Sequence, residues 1–273
     1  MSDSEPNSLC DPRASASLLL LEIGNTHVCT ATSVDGRIHT NERFGHDQVG
    51  QVVGCAEEAW RSLPEDRMRA ISACSVVPSV LADVRREVSN RLDQPVMVVS
   101  EDLHRPLSLA VEEPNRVGVD RVCSAAAAYD TFQHACVVAS FGTAITIDCV
   151  NDEGVFMGGA ILPGLEAQAQ ALHERTAQLP QVPIRSPAAV FGTTTEEAIR
   201  TGVLIGVAGA LREITERYAT ELRVWPDVVA TGGNVELIAQ HTDIIDRLVP
   251  DLCLLGVALA YRKHFSPFGE DET

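Results

Sequence analysis

Two stretches far apart in this chain follow one plan. LLLEIGNTHVCTATSVDG, from Leu19 to Gly36, reads as an apolar strand, a Gly-containing turn, a second strand rich in β-branched residues, and an Asp-Gly turn. CVVASFGTAITIDCVNDEG, from Cys136 to Gly154, repeats that order. Gly24 and Gly142 are equivalent, each followed by small or hydroxyl-bearing residues. Any two hairpins share some features, but four matched in order favour a duplication. Strand and helix patterns alternate through the rest of the chain, which predicts an α/β protein with two similar domains. At 273 residues each half has enough chain to bury a core.

The repeated turn has a physical use. Glycine lets the backbone come close to a phosphate, and successive turn N–H groups form an anion-binding concavity. Two such turns facing each other across a cleft would hold an ATP tail from both sides, the logic of actin-like, ribonuclease-H-like kinases. Lysine usage narrows how phosphates are held. Lys263 is the only lysine, and the other 20 basic residues are arginines. A Walker A loop and a protein-kinase strand lysine are both excluded. Backbone N–H groups, hydroxyls, arginine and a metal ion must do the work instead.

The net charge of −17 argues against nucleic acid and anionic membranes as partners. None of the eight cysteines forms a C-x-x-C pair, and several lie in apolar runs, which favours a reducing, cytoplasmic setting over a disulfide framework or zinc site. Residues 1–15 are polar, acidic and Ser-rich and read as a disordered leader. The apolar run Leu18–Leu21 is too short for a signal core or a membrane span. Pro114 in EEPNRV marks a boundary, giving domains over 16–115 and 116–273. A helix is expected from about Gly118 and a long one over Glu196–Tyr218. Gly202, Gly206 and Ala210 fall on one face of the second. That stripe suits close packing in the core first and a dimer seam second.

Five short motifs carry candidate chemistry. Glu22-Ile23-Gly24-Asn25-Thr26 puts a carboxylate at a strand end, where it can orient Mg²⁺, beside donors for phosphate oxygens. Gly118-Val119-Asp120-Arg121 opens a helix. There Asp120 can accept a hydroxyl proton while Arg121 forks onto a substrate carboxylate or phosphate. Ser140-Phe141-Gly142-Thr143-Ala144 is the second turn. The stretch from Gly158-Gly159 to Pro163-Gly164 suits a backbone approaching a ligand and a tight loop on the core equally. Thr231-Gly232-Gly233 fits a flat adenine or a tight turn.

The order of these motifs is more specific than any one of them. E-I-G-N-T, G-V-D-R, F-G-T-A, G-G-A-I-x-P-G, E-R-T-A-x-L-P and T-G-G run in sequence between Leu19 and Tyr261, and the chain resembles type III pantothenate kinases, the Bvg accessory factor-like family. The resemblance implies an actin-like fold, ATP and pantothenate as substrates, Mg²⁺, a monovalent cation (K⁺ or NH₄⁺) and a homodimer. It implies that Glu22, Ile23, Gly24, Asn25, Thr26, His27, Val28 and Cys29 hold the ATP phosphates and that Thr143 contacts ATP. Gly118, Val119, Asp120, Arg121 and Thr195 would contact pantothenate, with Asp120 as proton acceptor.

Four positions depart from the family pattern. Glu22 stands where the family has Asp, so its carboxylate reaches one methylene further. Ser140 replaces the Asp that resembles a potassium ligand, so K⁺ activation is expected to be weak. Val111 stands where a Tyr is usual, and Thr194 where Asn is common. Two other readings follow from these changes: a non-catalytic binder of ATP or pantothenate, and a kinase for another small hydroxylated substrate.

Overall fold

The computed structural model describes residues 11–266. The predicted leader over 1–15 therefore lies mostly outside the described residues. From Asp11 onward, Pro12–Ser15 forms one turn of 3₁₀ helix, capped by the Asp11 carboxylate, which accepts from the Arg13 N–H at 2.9 Å.

The chain forms two units. One holds the residues up to Pro106 and those from Cys253 onward, and the other is Leu107–Leu252. In the first unit, strands β1 (Ser17–Ile23), β2 (His27–Val34), β3 (Arg37–Gly45), β4 (Arg69–Ser75) and β5 (Val96–Val98) lie in the order β3-β2-β1-β4-β5. The β1-β2 and β2-β3 pairs are antiparallel, and the β1-β4 and β4-β5 pairs parallel. Helices α1 (Val49–Ser62) and α2 (Pro78–Leu92) supply the crossovers that parallel pairing needs. The unbroken apolar run of β1 is explained by its central place: Leu18 to Leu21 are almost wholly buried. Leu19, Leu21, Ile71, Val84 and Val88 form the core of this unit.

The second unit repeats the plan. After β6 (Ser108–Leu109) and α3 (Val119–Phe132) come β7 (Cys136–Phe141), β8 (Ala144–Val150), β9 (Val155–Pro163), α4 (Leu165–Arg175), α5 (Thr195–Leu222), β10 (Asp227–Thr231), α6 (Val235–Ala239) and β11 (Arg247–Leu248). The sheet order is β11-β10-β7-β8-β9-β6. Dropping β6 leaves β9-β8-β7-β10-β11, which matches β3-β2-β1-β4-β5 strand for strand, with the same antiparallel and parallel pairs. The duplication read from two hairpins thus extends over five strands in each sheet.

The final helix, α7 (Leu252–Phe265), groups with the first unit, whereas the sequence reading ran the second domain to the C-terminus. Eight residues between Leu252 and Tyr261, among them Leu254 and Val257, are buried apolar side chains. Cys253 Sγ lies 3.5 Å from Cys74 Sγ of β4, and Lys263 Nζ donates to the Pro106 carbonyl at 3.2 Å.

The cysteines form no disulfide among the described residues, and burial raises the Cys136 thiol to about 12 and that of Cys149 to about 11, the behaviour of inert core thiols. No helix among the described residues is long and apolar enough to cross a membrane.

Helix α5 is longer than predicted, and its small-residue stripe is not a core seam. Ile199, Val203, Leu204, Val207 and Leu211 face the core, while Gly202, Gly206 and Gly209 have nothing within 4 Å of where a Cβ would stand. Beside them Ile205 is half exposed, and an open hollow runs from Gly209 to Arg212 and Asp243.

Candidate active site

Three of the sequence motifs meet at the turn between β7 and β8. The turn closes with the Gly142 N–H donating to the Ala144 carbonyl at 3.2 Å. Gly164, which caps α4, donates to the Thr143 carbonyl at 3.1 Å, and a Cβ there would stand 2.5 Å from the carbonyl oxygens of Gly142 and Thr143. Gly232 has φ +99°, and its Cβ would fall 2.6 Å from the Phe141 carbonyl oxygen. The Asn234 N–H donates to that same carbonyl at 3.2 Å, and its side chain donates to Glu166 of α4 at 3.0 Å. Gly164 and Gly232 are therefore required by close approach around the turn.

Gly142 itself is different. It has no left-handed φ, and a Cβ there would make only an ordinary contact, 3.6 Å from the Ala144 carbonyl oxygen. The first unit shows the same pattern. The turn between β1 and β2 closes with the Gly24 N–H donating to the His27 carbonyl at 3.0 Å, and a Cβ on Gly24 would again sit 3.6 Å from its nearest neighbour. His46 Nε2 lies 2.9 Å from the Gly24 carbonyl oxygen. Neither turn glycine is demanded by the protein's own conformation or packing. At both, a glycine that packing does not require fits a phosphate approaching the backbone.

Of the predicted phosphate-binding run, Ile23, Val28 and Cys29 are buried and can offer only backbone, while Asn25, Thr26 and His27 are exposed and Glu22 is half-buried at the end of β1. Thr143 is exposed and Ser140 half-buried. Ser140 pairs across the sheet with Thr146 and Thr231, so its neighbours at that level are hydroxyls rather than carboxylates. Among the described residues no cluster of three His, Cys, Asp or Glu side chains is placed to hold a metal ion.

The second cluster lies at the start of α3. Gly118 is the N-cap, and its carbonyl accepts from the Arg121 N–H at 3.1 Å. Asp120 Oδ1 also accepts from the Arg121 N–H, at 2.8 Å, so the carboxylate occupies the electropositive first turn. Burial nevertheless pushes the Asp120 carboxyl above its usual range, against the pull of the Arg121 N–H and guanidinium.

Arg121 turns away from Asp120 toward β8. Its Nε donates to both oxygens of Asp148, at 3.0 and 3.2 Å, and its Nη2 donates to Asp148 Oδ1. The Asp148 side chain is 1% exposed and that of Arg121 17%. Burial pushes the Asp148 carboxyl up, while Arg121 and the Thr146 hydroxyl draw it down. Gly159, opposite Asp148 on β9, makes room for this pair: its Cβ would lie 2.2 Å from Asp148 Oδ1. The Arg121 guanidinium lies 5.7 Å from the Phe156 ring centroid. Gly158 has φ +105°, a Cβ on it would stand 3.6 Å from Val111 Cγ1, and the Tyr218 hydroxyl of α5 donates to the Ile147 carbonyl at 3.2 Å.

Thr195 is the exposed first residue of α5. Thr194 caps that helix by accepting from the Glu197 N–H at 3.2 Å, so threonine does here what Asn would do. Gly192 packs on the Ala198 backbone, and Arg200 donates to the Pro183 carbonyl at 3.2 Å, fixing the loop that leads to Thr195.

Sequence reasoning missed Asp148. The signal was present: an acid inside an otherwise apolar strand, TIDCV, with Gly-Gly on the strand that follows. A buried acid needs a cation, and the Arg of G-V-D-R was the candidate.

A family profile described as type III pantothenate kinase matches residues 18–217. The chain is 32% identical to the type III pantothenate kinase of a Parafrankia species, covering 92% of this chain and 99% of that one. With the corresponding Streptomyces avermitilis protein it shares 34% identity over 91% and 99%. Among solved structures, a Baf family protein from Campylobacter jejuni superposes with a TM-score of 0.59 at 20% identity, covering 90% of this chain and 98% of that one. The ADPNP-bound activator of 2-hydroxyisocaproyl-CoA dehydratase from Clostridium difficile gives a TM-score of 0.51 at 14% identity, covering 91% and 94%. At those identities the structures speak to fold, and the fold is the actin-like one. The match in sequence over nearly the whole of each relative goes further: this chain belongs to the type III pantothenate kinase family.

Proposed function

We propose that this chain transfers the γ-phosphoryl group of ATP to the terminal hydroxyl of pantothenate, giving 4′-phosphopantothenate and ADP, the first step toward coenzyme A. The observation that carries the reading is the pair Asp120-Arg121: a half-buried carboxyl of raised pKa beside an arginine already fixed in place. In the reaction the pantothenate hydroxyl oxygen attacks phosphorus, its proton passes to the Asp120 carboxylate, and the bond from the γ-phosphorus to the bridging oxygen breaks to release ADP. Phosphoryl transfer asks the protein for positioning and charge stabilisation more than for covalent chemistry.

The turn residues from Glu22 to Cys29 hold the ATP phosphates through backbone and hydroxyl donors, and Thr143 contacts ATP. Gly118, Val119, Arg121 and Thr195 hold pantothenate. A divalent cation, when bound, would neutralise phosphate charge, and the half-buried Glu22 carboxylate is a fitting hard oxygen ligand. A monovalent cation would find hydroxyls at Ser140, Thr146 and Thr231 where the family offers an acid, so K⁺ or NH₄⁺ activation is weak. The protein works in the cytoplasm as a homodimer, with the open small-residue face of α5 as the seam.

The test is ADP release by the purified protein with pantothenate, with other hydroxylated acids, and with no acceptor. Release that depends on pantothenate supports the proposal. Equal release with another alcohol, or none at all, points to a different acceptor or to a binding protein.

A further inference from the structure

The Arg121–Asp148 pair bears on how the acceptor is held. Arginine has two hydrogen-bonding edges. The edge formed by Nε and Nη2 is taken by the Asp148 carboxylate, whose side chain is 1% exposed. Nη1 makes no hydrogen bond among the described residues, and the side chain keeps 17% of its surface open. A guanidinium held by one edge has lost most of its rotamer freedom before a ligand arrives, so the ordering cost of gripping an anion is already met.

The neighbours of Asp148 fix it in turn. Thr146 lies two residues before it on β8, on the same face of the strand. Gly159 faces it across the β8-β9 pair, and any larger residue there would run into Oδ1. Among the described residues no other cation is paired with Asp148, and its place on a sheet strand makes it a more rigid anchor than a loop residue would be.

We propose that Asp148 is a positioning residue for the reaction: it anchors the Nε–Nη2 edge of Arg121 so that the Nη1 end is presented to the carboxylate of the acceptor. This rests on the pantothenate reading above. It also modifies the role that the family resemblance gives to Arg121, since only the end of the guanidinium is left for the substrate.

The experiment compares wild type with Asp148→Asn, Arg121→Lys and the double variant, after thermal melts to confirm folding. For Asp148→Asn the pantothenate KM should rise at least ~10-fold, with kcat falling less and ATP KM within about 2-fold of wild type. With pantothenol, which has an alcohol in place of the carboxylate, the same substitution should change kcat/KM by less than ~2-fold. In the Arg121→Lys background, Asp148→Asn should add less than ~2-fold, because both changes break one arrangement. A folded Asp148→Asn protein with unchanged pantothenate KM, equal losses on both substrates, or fully additive effects in the double variant would each overturn the proposal.

A second readout needs neither turnover nor a variant that folds. Exchange of the Arg121 Nε–H with water, followed by ¹⁵N NMR in the wild-type protein, should be at least ~10-fold slower than for a solvent-exposed arginine. Fast exchange contradicts the anchor. If wild type shows slow exchange but no turnover of pantothenate, the functional reading fails while the anchor stands.

Discussion

Asp120 carries opposed demands on a single residue. As a proton acceptor it must be ionised, yet burial favours its neutral form. Its folded pKa is raised above the unfolded one. Its contribution to stability is therefore present at low pH and lost as pH rises through the folded value. At neutral pH the buried charge costs stability, and Asp120→Asn removes that cost. The variant should melt higher than wild type at about pH 7, with the gain shrinking in acid, while kcat falls ~10²–10⁴-fold as for loss of a general base. In wild type, kcat should fall with decreasing pH at a limb above the ordinary carboxylate range. Calorimetry and pH-rate profiles check both, and a folded Asn variant with normal kcat would remove Asp120 as the base. Ser140 gives a second prediction: K⁺ activation is weak or absent in the unmodified protein, and Ser140→Asp should introduce or strengthen it, measured as kcat with and without K⁺. Strong, saturable K⁺ activation in the unmodified protein would mean that another residue supplies the ligand. At this scale the sequence was legible where a motif is contiguous, as in G-V-D-R. It was not legible where partners meet only when a helix packs on a sheet strand, as Arg121 of α3 and Asp148 of β8 do.

At the scale of elements, the glycines separate into two kinds that look alike in sequence. Gly159, Gly164 and Gly232 are held by backbone or carboxylate atoms closer than any Cβ tolerates. Gly232→Ala, which also meets a φ of +99°, should cost about 1–3 kcal/mol or more of stability, seen as a lowered thermal midpoint. Gly24→Ala and Gly142→Ala should leave the midpoint nearly unchanged, because neither Cβ would meet anything closer than 3.6 Å. Their effect should fall on ATP, with KM raised on the order of 10-fold, about 1.4 kcal/mol of lost binding. A large drop in melting for either turn variant, with ATP KM unchanged, would show that those glycines serve the fold alone. The sequence named the P-G and T-G-G motifs but left two uses open for each, since a tight turn and a ligand cradle place the same residue types in the same order. The distances assign Gly164 and Gly232 to packing, while Gly233 has nothing within 4 Å of where a Cβ would stand. They also reverse the first reading of the α5 stripe, which faces away from the core.

The whole molecule is legible to the extent that duplication is. Two hairpins announced a repeat, and the matching five-strand orders of the two sheets extend it. What the hairpins could not announce is β6, which adds an edge strand to the second sheet, and the grouping of α7 with the first unit, because both depend on contacts between residues distant in sequence. If the exposed stripe on α5 is the seam of a homodimer, Gly206→Arg should shift the protein from dimer to monomer in analytical ultracentrifugation while leaving secondary structure intact, since that position has open space around it. A Gly206→Arg protein that remains a dimer would place the seam elsewhere. Phosphoryl transfer to pantothenate is followed by ³¹P NMR of the purified protein with ATP, Mg²⁺ and pantothenate. A new phosphomonoester resonance should grow in step with ADP and be lost in Asp120→Asn. ADP appearing only with inorganic phosphate, or a spectrum that does not change, would contradict it.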